Sequence, residues 1–188
     1  MGQIQTPRPV TPFVALLFGN EEHYPELRGQ LEQTFGPLEL ESPLFSFTFT
    51  DYYRPGMGPD LKRRLLTFAR LADPAELAAW KLAANALEAR WAATAPPAGP
   101  ARPVNIDPGY ITSAKLVLAS TKDFAHRVYL RDGIFAEITL SYRGGAWVSH
   151  PHTFPDFRSG LYDAFLVRAR EAHMRRSAAK GDEEGGDR

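Results

Sequence analysis

"VNIDPGYITSAKLVLASTKDFAHRVYL", residues 104–130, is the stretch on which the reading of the fold turns. Pro108-Gly109 has the chemistry of a type II turn centre, since proline presets the first position and glycine supplies a positive φ at the second. Asp107 then initiates the turn and Asn105 satisfies backbone groups. On this reading residues 104–111 are punctuation, and the next strand is "AKLVLAST". The alternative makes Asp107 a carboxylate presented at a strand end, as a metal ligand or a general base.

Around this stretch the elements follow from periodicity. "FVALLFG" is near-continuously apolar, as a buried central strand would be. Asn20, Leu27, Leu31, Phe35 and Gly36 mark a capped amphipathic helix. In "LFSFTFT", Phe45, Phe47 and Phe49 alternate with polar residues, which predicts a half-buried strand. "LKRRLLTFARL" reads as another. Asp73, Pro74 and Glu76 form a capping-box start, and Leu77, Trp80, Ala84, Leu87 and Trp91 line one face of the following helix. "TAPPAGPARP" cannot continue it.

"HRVYLRDGIFAEITLSY" reads as a hairpin. A three-residue Arg-Asp-Gly loop pairs Arg127 with Glu137 and Tyr129 with Phe135. It segregates polar from apolar better than a two-residue turn, placing Val128, Leu130, Ile134, Ala136, Ile138 and Leu140 on one face. "FRSGLYDAFLVRAREAHMRR" closes the chain as an amphipathic helix. The expected fold is α+β, a ferredoxin-like β-α-β-β-α-β sandwich extended by the hairpin and the C-terminal helix. Residues 1–12 are expected to be a flexible arm, 13–176 one domain and 177–188 a disordered tail.

Composition excludes several functions. Lys plus Arg and Asp plus Glu both number 22, so the net charge is zero and bulk nucleic-acid binding is not expected. RNA binding on an aromatic sheet face is a third, weaker option, against which the zero net charge and the missing aromatic-basic motif both count. With no cysteine there is no disulfide, thiolate metal site or cysteine nucleophile. No segment reads as a signal peptide or membrane span, so the expectation is a cytoplasmic protein. The Walker, Rossmann, zincin and nucleophile-elbow signatures are absent.

"DYYRPGMG", "NIDPGY", "KLVLASTKDFAHRVYL", "GIFAEITL" and "FPDFRS" resemble, in the same order, the motifs of an uncharacterised prokaryotic family, domain-of-unknown-function family 4416. The resemblance spans nearly the whole chain apart from the tails. The family carries no established activity. What the resemblance implies is where to look: Tyr53, Met57 and Gly58; Asn105, Asp107, Pro108 and Gly109; Lys122, Asp123, His126, Arg127, Tyr129 and Glu137. Two acidic positions of the family's first loop are Arg54 and Gly56 here, which argues against acids acting there, and the family's "YPDY" is "FPDF".

The expected chemistry centres on 105–137. Lys122 and Arg127 would hold an anionic group, with Arg as the bidentate partner. His126 would move a proton, and Asp107 and Glu137 complete the candidate catalytic set. Tyr53, Asn105 and Lys115 are the remaining candidate ligand contacts. Against this stands an ordinary reading, in which Lys122-Asp123 is a solvated turn and Arg127 merely pairs with Glu137. A divalent metal on Asp107 and Glu137 is a weak signal from two carboxylates distant in sequence. His150-x-His152 lacks a third ligand for zinc unless Asp156 supplies it. The expectation is therefore a small-molecule enzyme or binder for a phosphate- or carboxylate-bearing ligand. The alternative is a non-catalytic module that forms a homodimer through its sheet.

Overall fold

Eight consecutive buried residues, Thr11–Phe18, form β1 at the centre of the sheet. Burial of each large apolar side chain here is worth about 1.5–3 kcal/mol, so the strand anchors both faces. The computed structural model describes residues 2–185, with side chains as far as Ala179. It is an α+β protein with a nine-stranded, open, antiparallel sheet and about five helices.

β1 pairs with β4 (Lys62–Phe68) on one side and β5 (Val104–Ile111) on the other. Outside β4 lie β2 (Leu38–Glu41) and the short β3 (Phe45–Ser46). Outside β5 come β6 (Lys115–Ser120) and then β8 (Ile134–Arg143), whose far side is shared by β7 (Val128–Arg131) and β9 (Ala146–Ser149). Helices α1 (Tyr24–Phe35) and α3 (Leu77–Thr94) cover one face, burying Leu31, Phe35, Trp80 and Leu87 against Val14, Leu16 and Phe68. The other face takes α5 (Asp163–Gly185), the single turn α4 (Pro155–Arg158), and the 47–61 segment with its short α2 (Arg54–Met57).

Several expectations need correction. Residues 104–111 are not a turn but β5, paired with β1 along its whole length. Gly109 is required for a different reason from the one expected. A Cβ there would sit 2.1 Å from the Val117 carbonyl oxygen, so only glycine lets β6 approach. β6 pairs only Gly109 to Ile111. The ladder stops at Pro108, which has no N–H to give, and the two strands part. The edge of β4 is filled first by 38–41, which periodicity missed. "LFSFTFT" contributes only Phe45–Ser46 to the ladder, because the chain kinks at Ser42-Pro43 and leaves the sheet after Phe47.

The hairpin keeps Tyr129 opposite Phe135, as expected. Its turn, however, has two residues: Asp132 and Gly133 both have positive φ, and an irregularity between Tyr129 and Arg131 restores the register. A second irregularity beside Thr139 puts Glu137 and Leu140 on the same face as Leu118 and Leu116, and leaves Ile138 44% exposed. The expected C-terminal helix is broken at Gly160 (φ 78) into α4 and α5. The arm is shorter than expected, since Thr11 is fully buried and Val10 bridges to Ala72. Helical backbone continues past residue 176 to Gly185, into the segment expected to be a disordered tail; residues 186–188 lie outside the described residues. The Asp73–Glu76 capping box forms as expected, on a 3-10 turn that leads into α3. No helix among the described residues is long and apolar enough to cross a membrane.

Candidate functional site

The parting of β5 and β6 opens a cavity of about 310 Å³. Tyr52 and Tyr53 wall it from the 47–61 segment, Lys81, Asn85 and Glu88 from α3, and Phe154 from the loop before α4. Asn105 and Asp107 come from β5, Arg102 precedes that strand, Ser120 ends β6 and Lys122 follows it, Arg127 precedes β7 and Glu137 lies on β8.

The split leaves backbone groups of β5 that β6 would otherwise pair, and α3 supplies the replacement. Lys81 Nζ donates to the Ile106 carbonyl at 2.8 Å, and the Ile106 N–H donates to Glu88 Oε1 at 2.7 Å. Lys81 also reaches Asp107 Oδ1 at 3.3 Å, while Asn105 Nδ2 donates to Asp107 Oδ2 at 2.6 Å. Arg102 donates to Glu88 Oε2 at 2.7 Å and to Asn105 Oδ1. Burial works against ionisation of Asp107, but Lys81, Arg63 and the Asn105 hydrogen bond outweigh it and hold the carboxyl below its ordinary value.

A second network surrounds the buried Glu137. Its Oε2 accepts from Arg127 Nε at 2.8 Å and contacts His126 Nε2 at 3.1 Å; its Oε1 accepts from Thr139 Oγ1 at 3.3 Å. Arg127 Nη1 donates to Ser120 Oγ at 2.7 Å and to the Lys122 carbonyl at 3.1 Å. Arg127 does pair with Glu137, as the hairpin register required. Lys122 Nζ donates to the Tyr52 hydroxyl at 2.7 Å and lies over the Tyr52 ring, which lowers that phenol's pKa. Lys122 has no acidic partner among the described residues.

Of the residues singled out in the sequence, Tyr53, Asn105, Asp107, Lys122, Arg127 and Glu137 line one cavity. His126 does not; it stands on the far side of Glu137, stacked on His152 at 4.3 Å. Lys115 is not brought in. It starts β6, opposite Ser141, about 16 Å of extended strand from Ser120. His150 and His152 stack with ring centroids 5.3 Å apart, and their Nε2 atoms engage Ser141 Oγ and the Ile138 carbonyl. Asp156 is not beside them but against Arg63 and Tyr162. Among the described residues no three His, Asp or Glu side chains cluster as metal ligands. The oxygens of Asp107 and Glu137 that would serve Mg²⁺ are already occupied by nitrogen and hydroxyl donors.

Sequence reasoning missed Lys81, Glu88, Arg102 and Arg63. One signal was legible for Lys81: a lysine four residues after Leu77 and three before Ala84 stands on the buried stripe of α3. For Arg102, in the Pro-rich connector, nothing in the spacing pointed inward.

No curated protein and no solved structure matches this chain. A family model does match, over residues 8–173, and its span takes in β1 to β9 and every residue of the cavity. The chain belongs to the family described as Domain of unknown function (DUF4416).

Proposed function

We propose that the protein binds a small phosphate- or carboxylate-bearing molecule in the cavity between β5 and β6. The observation that carries this reading is Lys122, a cation without an acidic partner among the described residues, in the wall of a cavity that Arg102 and Arg127 also line. An anion arriving there would gain charge-assisted hydrogen bonds. Tyr52, Tyr53 and Phe154 offer the apolar wall that small-molecule sites need beside their few polar groups. The scaffold we infer is ferredoxin-like. The order β2-β4-β1-β5, joined through α1 and α3, supports a split β-α-β core to which β6–β9 and α5 are appended.

If the protein is an enzyme, His126 is the group we assign to proton transfer, acting on the cavity through Glu137. Asp107 suits a fixed counter-charge better than a base, because its lowered pKa makes it a poor proton acceptor near neutral pH. Isothermal titration with inorganic phosphate and with citrate tests the binding reading. Lys122→Ala and Arg102→Ala should each weaken binding about tenfold, equivalent to ~1.4 kcal/mol. Unchanged affinity in both variants would overturn it.

A second reading, self-association, rests on β7. Its outer edge is unpaired among the described strands, and Val128 and Tyr129 are 68% and 58% exposed there. Light scattering of the wild type and of Tyr129→Lys decides it. A dimer dissolved by the lysine supports edge pairing, and a monomer at all concentrations counts against it.

A further inference from the structure

Behind Tyr53 the cavity continues into a chamber of about 40 Å³, walled by Phe47, Phe49, Tyr53, Phe154 and Phe157, with Tyr53, Asp107, Leu118 and Phe154 common to both spaces. Arg63 of β4 faces this chamber and is only 3% exposed. Its Nη2 meets Asp156 Oδ2 at 3.4 Å, and Nη1 stands 4.0 Å from Asp107 Oδ2. Nε and Nη1 have no hydrogen-bond partner among the described residues, although the guanidinium lies 4.9 Å from the Phe47 ring centroid. Two buried donors on a charged group are costly without an acceptor, and the adjoining chamber is where one can stand.

The charges say which acceptor. Arg63 and Lys81 are already matched by Asp107 and Asp156, so a second anion in the chamber would face two carboxylates with no cation to spare. An uncharged carbonyl oxygen meets the open N–H groups without that repulsion. The aromatic walls fit a flat group, and the volume admits only its tip. The unmatched cation is in the outer cavity, at Lys122.

We infer that the ligand is bipartite: an anionic group held at the mouth by Lys122 and Arg102, and a planar carbonyl-bearing head directed between Tyr53 and Phe154 onto Arg63. This rests on the anion-binding reading above and specifies the other end of the same molecule.

The test compares phenyl phosphate with 3- and 4-carbamoylphenyl phosphate by isothermal titration to the full chain. At least one carbamoyl compound should bind about tenfold tighter than phenyl phosphate, as one charge-assisted hydrogen bond supplies. Arg63→Met should bring that ratio to about one. Arg63 is buried, so a second variant, Phe154→Trp, narrows the chamber from its partly exposed rim and should abolish the same preference. Equal binding of all three phosphates by the wild type, or a preference that survives both substitutions, overturns the carbonyl head and leaves the anion site standing. No binding of any phosphate, inorganic phosphate and citrate included, overturns both.

Discussion

Lys81 and Glu88, two turns apart on α3, hold the two backbone groups of one residue, the carbonyl and the N–H of Ile106. The helix thus takes the place of the missing strand where β6 has left β5. The cavity lies where this substitution occurs: both backbone groups of Ile106 are satisfied without a neighbouring strand, and the space beside them stays open.

Removing either side chain should destabilise the fold. Glu88→Ala strands the Ile106 N–H and one Arg102 contact, for a loss of about 2 kcal/mol. Lys81→Met leaves the Ile106 carbonyl and Asp107 short of a donor and should cost about 3 kcal/mol. Urea unfolding checks both, with the expected drop in midpoint at an unchanged slope.

Gly109→Ala should be far worse than a surface glycine change. The added Cβ meets the Val117 carbonyl oxygen, so β6 must move and the fold should lose more than about 3 kcal/mol. Gly29 is the internal control, exposed in the middle of α1 with nothing within 4 Å of an added Cβ. Gly29→Ala should stabilise by about 0.5–1 kcal/mol through helix propensity. Thermal melts of the two variants should move in opposite directions.

Glu137→Gln should weaken the fold by about 3 kcal/mol, because it removes the carboxylate that compensates the buried Arg127. His126 loses its partner in the same change. Urea unfolding of the variant beside the wild type checks the loss, with the expected drop in midpoint at an unchanged slope.

Acid should loosen the C-terminal helix. Burial, with Arg176 and Arg170 nearby, lowers the His173 imidazole to about 4. Its ring contacts Thr11 Oγ1 at 2.9 Å, and Ser177 stands on its other nitrogen. The folded pKa lies below the unfolded one, so as pH falls the unfolded chain takes up the proton first. Stability is therefore full above about pH 6.5 and declines towards about pH 4, by ~2 kcal/mol after allowance for partial solvation. His173→Gln should remove that part of the slope in denaturation measured from pH 7 to 4.

The local signals in the chain were sufficient for much of this protein. Apolar runs and alternation located β1, β4, β6 and the hairpin, and the Asp73–Glu76 cap and apolar stripe located α3. The polar cluster at 105–137 was visible too, since five of its residues, Asn105, Asp107, Lys122, Arg127 and Glu137, share one cavity. These are short-range properties, fixed by side-chain chemistry within a turn or a strand.

Tertiary structure decided the rest. "NIDPGY" carries the residues of a turn, and only β1 along its whole length makes it a strand. The same Pro108-Gly109 that suggested a bend instead ends the ladder to β6 and admits its backbone, which no local rule distinguishes from a turn. Lys115 and His126 were as plausible as Lys122 from sequence, but strand length carried one away and Glu137 screened the other. Lys81, Arg102 and Arg63 enter the site from elements tens of residues distant. Their role depends on which backbone groups the sheet leaves open, and that is fixed only when all the strands are in place.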